Sequence, residues 1–288
     1  MKNKLGRFSR CFAVVGSVIL FFGVSSAPAK PAVKKLLVVT ITAGYRHPSV
    51  TNAEATLKQL GGQTGIFSVE VAKVDPDSPE FRGADGSTDT NKVHAAMVKV
   101  LAEKMSTAAL KKYDGVIFAN TTGDLPLPDK AAFLKWLKSG KAFIGMHAAT
   151  DTFRGHKPPD PFIEMIGGEF QSHPKGLFDV ECLNQDPKHP ACASVPLKWP
   201  VKDEIYMIGS HNPKKVHYLL KLDKHPKEGT PGDFPIAWCK MFGKGKVFYT
   251  SLGHGAEMWA NPDYQKHIIG GIEWALGLKK GDATPQAK

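Results

Sequence analysis

Cysteine is scarce in this chain, with 4 among 288 residues. No two stand in a Cys-x-x-Cys step, which excludes a zinc ribbon. No His-Glu-x-x-His or other close-spaced ligand pair occurs, so local spacing alone defines no metal site. There is no internal repeat, and no linker splits the chain. The 38 basic residues outnumber the 27 acidic ones. The lysines are scattered, however, which points to a solvated basic surface and away from a nucleic-acid partner. The apolar run CFAVVGSVILFFGV (11–24) falls short of the ~20 residues a membrane span needs. Lys2, Lys4, Arg7 and Arg10 precede it and Ala27-Pro28-Ala29 closes it. This is the pattern of a secretory signal peptide at residues 1–29. The expected mature protein is periplasmic or secreted and keeps no stable membrane insertion after cleavage. Its formal charge drops by four from the +11 of the full chain.

Three cysteines remain after that segment. Cys182 and Cys192 flank a Pro/Asp-rich loop and could pair in an oxidising compartment. Cys239 lies in an apolar stretch and reads as a buried free thiol.

The first half of the mature chain alternates strands and helices. KKLLVVTIT (34–42), DGVIFAN (114–120) and AFIGMH (142–147) are continuous apolar runs, the mark of strands buried on both faces. FSVEVAKV (67–74) is a further strand. Helical sequence runs from Ser49 or Thr51 to about Leu60, with Gly61-Gly62 as its stop, then over 92–112 and over Pro128–Ser139. Residues 75–91 read as a long surface loop. The order predicts a mostly parallel sheet flanked by helices. The second half is more mixed, with strands expected at 176–183, 203–208, 215–222, 234–242 and 246–252. Gly243-Lys244-Gly245 should turn the last two into an added antiparallel hairpin. A helix over 264–277 ends a single domain at 30–278, and residues 279–288 are expected to be a disordered tail.

Ligands of open parallel sheets bind at the carboxyl ends of strands. Four polar segments follow directly on expected strands: Gly44-Tyr45-Arg46-His47, Asn120-Thr121-Thr122-Gly123-Asp124, Gly145-Met146-His147 and Ser251-Leu252-Gly253-His254. Three bring a histidine, and the topology should gather them. Imidazole exchanges protons near neutrality and is the commonest zinc ligand. His47, His147 and His254, with Glu204 from the acidic pair Asp203-Glu204, are therefore candidates for acid/base catalysis or for holding a divalent metal such as zinc. Arg46 could clamp a carboxylate or oxyanion. Thr121, Thr122 and Asp151 could hold hydroxyls. Tyr45 is aromatic beside the site, Trp238 reads as core, and Trp259 could be a sugar-stacking platform.

GYRHPS, DGVIFAN, FIGMHAATDTF, IGGEFQSHP (166–174), DPKHP, DEIY and GKGKVFYTSLGHGAEMW occur in that order, and together they resemble the trehalose-utilisation (ThuA-like) family from about Leu36 to Leu278. The resemblance implies a flavodoxin-like α/β fold of the class I glutamine amidotransferase-like superfamily. It places His147 where that superfamily carries its nucleophilic cysteine, and His254 at its catalytic histidine. Without a cysteine at 147 there is no thioester and no glutaminase. The resemblance also brings in His173 as a pocket residue and His189 below it, both in His-Pro steps. It implies a small carbohydrate ligand, a disaccharide or keto-sugar, and leaves homo-oligomer formation open. Two functions stand: an enzyme of carbohydrate catabolism, or a non-catalytic sugar-binding module.

Overall fold

A computed structural model describes, apart from Met1, residues 32–286, and the expected signal peptide lies outside the described residues. Strands β1 (Lys34–Val39), β2 (Phe67–Ala72), β3 (Gly115–Ala119), β4 (Ala142–Met146), β5 (Phe178–Asn184), β6 (Lys198–Asp203), β7 (His217–Lys224), β8 (Pro231–Phe242) and β9 (Gly245–Thr250) form one sheet. Its order is β2-β1-β3-β4-β9-β8-β7-β5-β6. The pairings from β2 to β9 are all parallel, and those from β9 onward to β6 are all antiparallel. The sheet is therefore mixed. The antiparallel part is larger than the expected hairpin and takes in four strands beyond β9.

β3 and β4 are buried at every position, as their uninterrupted apolar runs require. One face is covered by α1 (Val50–Thr64) and α6 (Pro262–Ala275), which bury Leu57, Leu60, Ile268 and Ile272. The other face takes α2 (Thr90–Met105), α3 (Lys130–Lys138) and α4 (Pro161–Ile166) through Leu101, Phe133 and Phe162. Side-chain caps open four of these helices, Asp160 accepting from Phe162 at the start of α4. Asp89 accepts from Asn91 and Lys92, Asp129 from Ala132, and Asn261 from Asp263 and Tyr264. A short helix α5 (Ala256–Ala260) precedes α6.

Three local expectations are corrected. α1 does not stop at Gly61-Gly62 but continues to the left-handed cap Gly65. Gly61 serves close approach instead, because a Cβ there would lie 2.7 Å from the Phe67 carbonyl oxygen. Residues 203–208 are not one strand. Asp203 ends β6, residues 204–206 are irregular, and Met207–Gly209 pairs with Glu169–Ser172 in a separate two-stranded sheet. The segment after Leu278 packs against the domain: Trp274 Nε1 donates to the Gly281 carbonyl at 3.1 Å, and His217 Nδ1 lies 2.8 Å from the Thr284 carbonyl oxygen. Cys182, Cys192 and Cys239 are free and buried. Among the described residues no helix is long and apolar enough to cross a membrane.

Candidate functional site

The parallel strands end level. Val39 pairs with Phe118, Ala119 with Met146, and Met146 with Thr250. The residues that follow them therefore emerge on one edge. His147 is the first residue after β4, and its backbone is left-handed, with φ 47°. A non-glycine residue rarely adopts this conformation, and the surroundings must impose it. Here the Tyr249 hydroxyl donates to the His147 carbonyl at 2.8 Å. The sharp turn swings the imidazole over the sheet edge.

His47, from the loop after β1, and His254, from the loop after β9, meet it there. The ring centroids lie 4.7 Å apart for His47–His147 and 5.2 Å for His147–His254. Glu204 arrives from the irregular segment after β6. One ligand atom from each of His47, His147, Glu204 and His254 lies within 4.8 Å of all the others. His254 Nδ1 is 3.1 Å from Glu204 Oε2 and 3.3 Å from His147 Nε2, and His147 Nε2 is 3.6 Å from Glu204 Oε2.

The protons follow from the partners. His147 Nδ1 lies 2.8 Å from the Ser251 carbonyl, which can only accept, so Nδ1 carries the hydrogen and Nε2 the lone pair. Burial, with the neighbouring His47, holds His147 well below its ordinary pKa. Burial likewise lowers His47 to about 4, helped by the His254 charge. Its Nδ1 is buried with no hydrogen-bond partner. His254 goes the other way: its hydrogen bond to Glu204 raises it against the cost of burial. For Glu204, burial pushes upward, but the His254 hydrogen bond and the charges of His254, His173 and His47 outweigh it, and the carboxyl sits below its usual value. The cluster thus combines two imidazoles that burial holds neutral with a His254–Glu204 contact that favours the charged form of each partner.

The other expected residues divide. His173 Nδ1 reaches Glu204 Oε1 at 3.1 Å, so both carboxylate oxygens are engaged. Tyr45 is exposed at the mouth, its ring edge-on to His47 at 4.8 Å. Arg46 lies between, with Nη2 3.6 Å from Asp75 and Nη1 buried without a partner. Asp151 is tied to Arg154. The structure moves three residues out of a ligand-facing role. Thr121 is buried and bonded to Thr152 at 2.7 Å. Thr122 is buried and donates to the Tyr45 carbonyl at 2.9 Å, holding the 44–45 turn. Trp259 is 1% exposed and donates to the Gly253 carbonyl, so no face is left for a sugar to stack on. His189 is buried elsewhere, against Cys239. A cavity of about 820 Å³ lined by residues of β5, β6, β7 and α5 includes none of the four cluster residues. The chemistry of the donors, and not cavity size, marks the site.

Two contributors escaped sequence reasoning. Tyr206 Oη is 3.0 Å from His147 Nε2. Burial pushes its phenol up, so it is the donor. Asp203, 1% exposed, accepts backbone N–H groups around the cluster. Both belong to the DEIY stretch, whose signal was its run of polar groups inside an apolar segment.

These features define an α/β protein with a histidine–carboxylate site on the carboxyl edge of its parallel strands. The chain belongs to the trehalose-utilisation (ThuA) family, whose model matches residues 35–275. Solved structures of two ThuA-like proteins are similar. One, from Bacteroides uniformis, is 20% identical with a TM-score of 0.61, over 87% of this chain and 95% of that one. The other, from Parabacteroides merdae, is 19% identical with a TM-score of 0.59, over 86% of this chain and 91% of that one. At these identities the likeness carries the fold alone. No curated protein matches the chain.

Proposed function

We propose that this protein is an exported enzyme of carbohydrate catabolism on a flavodoxin-like scaffold. It acts on a disaccharide or keto-sugar, and His47, His147, Glu204 and His254 hold a divalent cation such as zinc. The carrying observation is the convergence of three imidazole nitrogens and one carboxylate oxygen within 4.8 Å. With zinc–ligand distances of about 2.0–2.1 Å, the ligand atoms of a tetrahedral site stand ~3.3–3.4 Å apart. The three separations around His147, His254 and Glu204 run from 3.1 to 3.6 Å. The Ser251 carbonyl fixes the His147 tautomer, as the outer partners of metal-bound histidines do. The partnerless Nδ1 of His47 is a further buried donor atom suited to an ion.

Such an ion, when bound, polarises a carbonyl or activates water. The protein side supplies the rest. Burial keeps His47 and His147 neutral and their lone pairs available. Glu204 stays ionised and anchors His254 and His173 through its two oxygens. The Tyr206 hydroxyl donates to the His147 Nε2 lone pair, and a bound ion would take its place there. Tyr45 and Arg46 stand at the mouth, where the sugar would enter.

Elemental analysis of untagged protein tests the reading. About one equivalent of a transition metal is expected, falling at least tenfold in His254→Ala together with turnover in a screen of oxidised and unoxidised disaccharides. Less than ~0.1 equivalent in the wild type sinks the liganding role. Sugar binding without turnover would instead make the protein a binding module.

A further inference from the structure

We infer that Asp203 is a positioning residue that sets the separation of Glu204 and His254. The inference rests on the reading of the cluster as the working site. β6, which Asp203 ends, is the outermost strand of the sheet, with β8, β7 and β5 between it and β9. Sheet hydrogen bonds therefore cannot bring Glu204 to His254. The Asp203 carboxylate does so directly. Its Oδ2 accepts the Gly253 N–H at 2.7 Å, and its Oδ1 accepts the N–H groups of His254 at 3.2 Å and Glu204 at 3.0 Å. All three donors lie in the two segments that deliver the cluster's ion pair.

The turn it grips is specialised. Gly253 has φ 117°, and a Cβ there would meet Tyr264 Oη at 2.7 Å. Both sides of the 3.1 Å His254–Glu204 contact are thus pinned at the backbone. Without that clamp the contact would rest on the buried Glu204 and the half-buried His254 side chains alone, with neither backbone segment tied to the other through Asp203. An asparagine would fit the volume but present an NH₂ to backbone N–H groups that need an acceptor.

The test compares wild type, Asp203→Asn and Leu101→Ala, a control that destabilises the opposite face of the core. Zinc affinity is measured by competition with a chelating dye, and hydrogen exchange of the Gly253 and His254 amides by NMR. Asp203→Asn should weaken zinc binding by ~10–100-fold, the usual effect of losing an outer-shell partner. It should also speed exchange at both amides, while Leu101→Ala moves neither. Zinc affinity within twofold of wild type, or an equal loss in Leu101→Ala, overturns the proposal. If the wild type binds no zinc, the metal reading fails on its own, and amide exchange decides: unchanged protection in Asp203→Asn overturns the clamp, and lost protection upholds it. Should Asp203→Asn not fold, Asp203→Ser, which keeps an acceptor oxygen, carries the same measurements.

Discussion

Trp259 shows how burial reassigns a residue. Beside GHG it invites a stacking role, yet its indole is enclosed and bonded to the Gly253 carbonyl that neighbours His254. Trp259→Ala should therefore lower stability by about 3–5 kcal/mol in urea denaturation, the usual cost of emptying a buried aromatic site. An unchanged midpoint with weakened sugar binding would restore the platform. The four cluster residues could be found in the sequence because each follows a recognisable strand end or belongs to an acidic pair. Tyr206 and Asp203 could not be assigned. Their partners depend on the chain leaving β6 at residue 204, and read as a strand the same residues would alternate faces.

Among the elements, the parallel half was the more legible. β1, β3 and β4 are runs that only double burial explains. β5 and β6 are exposed at alternate positions and rich in charge, so the apolar signal is diluted; the start of β6 at Lys198 went unread. Gly61 misled for a related reason. In α1, as in α6, a glycine marks contact and not termination. A Cβ at Gly270 would lie 2.0 Å from the Pro190 carbonyl oxygen, where α6 crosses the loop bearing His189. Gly270→Ala should cost about 1–3 kcal/mol by overpacking, seen as a lower melting temperature. An unchanged melt would mean that the loop yields freely.

The whole molecule should be acid-sensitive. Burial holds His47, His189 and His267 each at about 4, whereas unfolded histidine titrates near ~6.5. Between those values the unfolded chain binds protons that the native one refuses, so stability present above ~6.5 is lost as the pH falls toward ~4. Asp203, pushed up to about 6 by burial, opposes this: the native state holds its proton more tightly, and that contribution fades as the pH rises through ~6. His254 and Asp151, also raised, act with Asp203. His147, His211 and Glu204, all lowered, join the three histidines, and the acid-sensitive groups are the more numerous. The melting temperature should fall by several degrees from pH 7 to 4.5, and a flat or rising profile would refute the assignment. The buried thiols carry a different consequence. Burial raises the pKa of Cys182, Cys192 and Cys239, so they are poor nucleophiles, and none is bonded to another. Maturation of this domain then owes nothing to a thiol oxidase or a disulfide isomerase. Protein produced in a reducing or an oxidising compartment should melt at the same temperature, with or without added reductant.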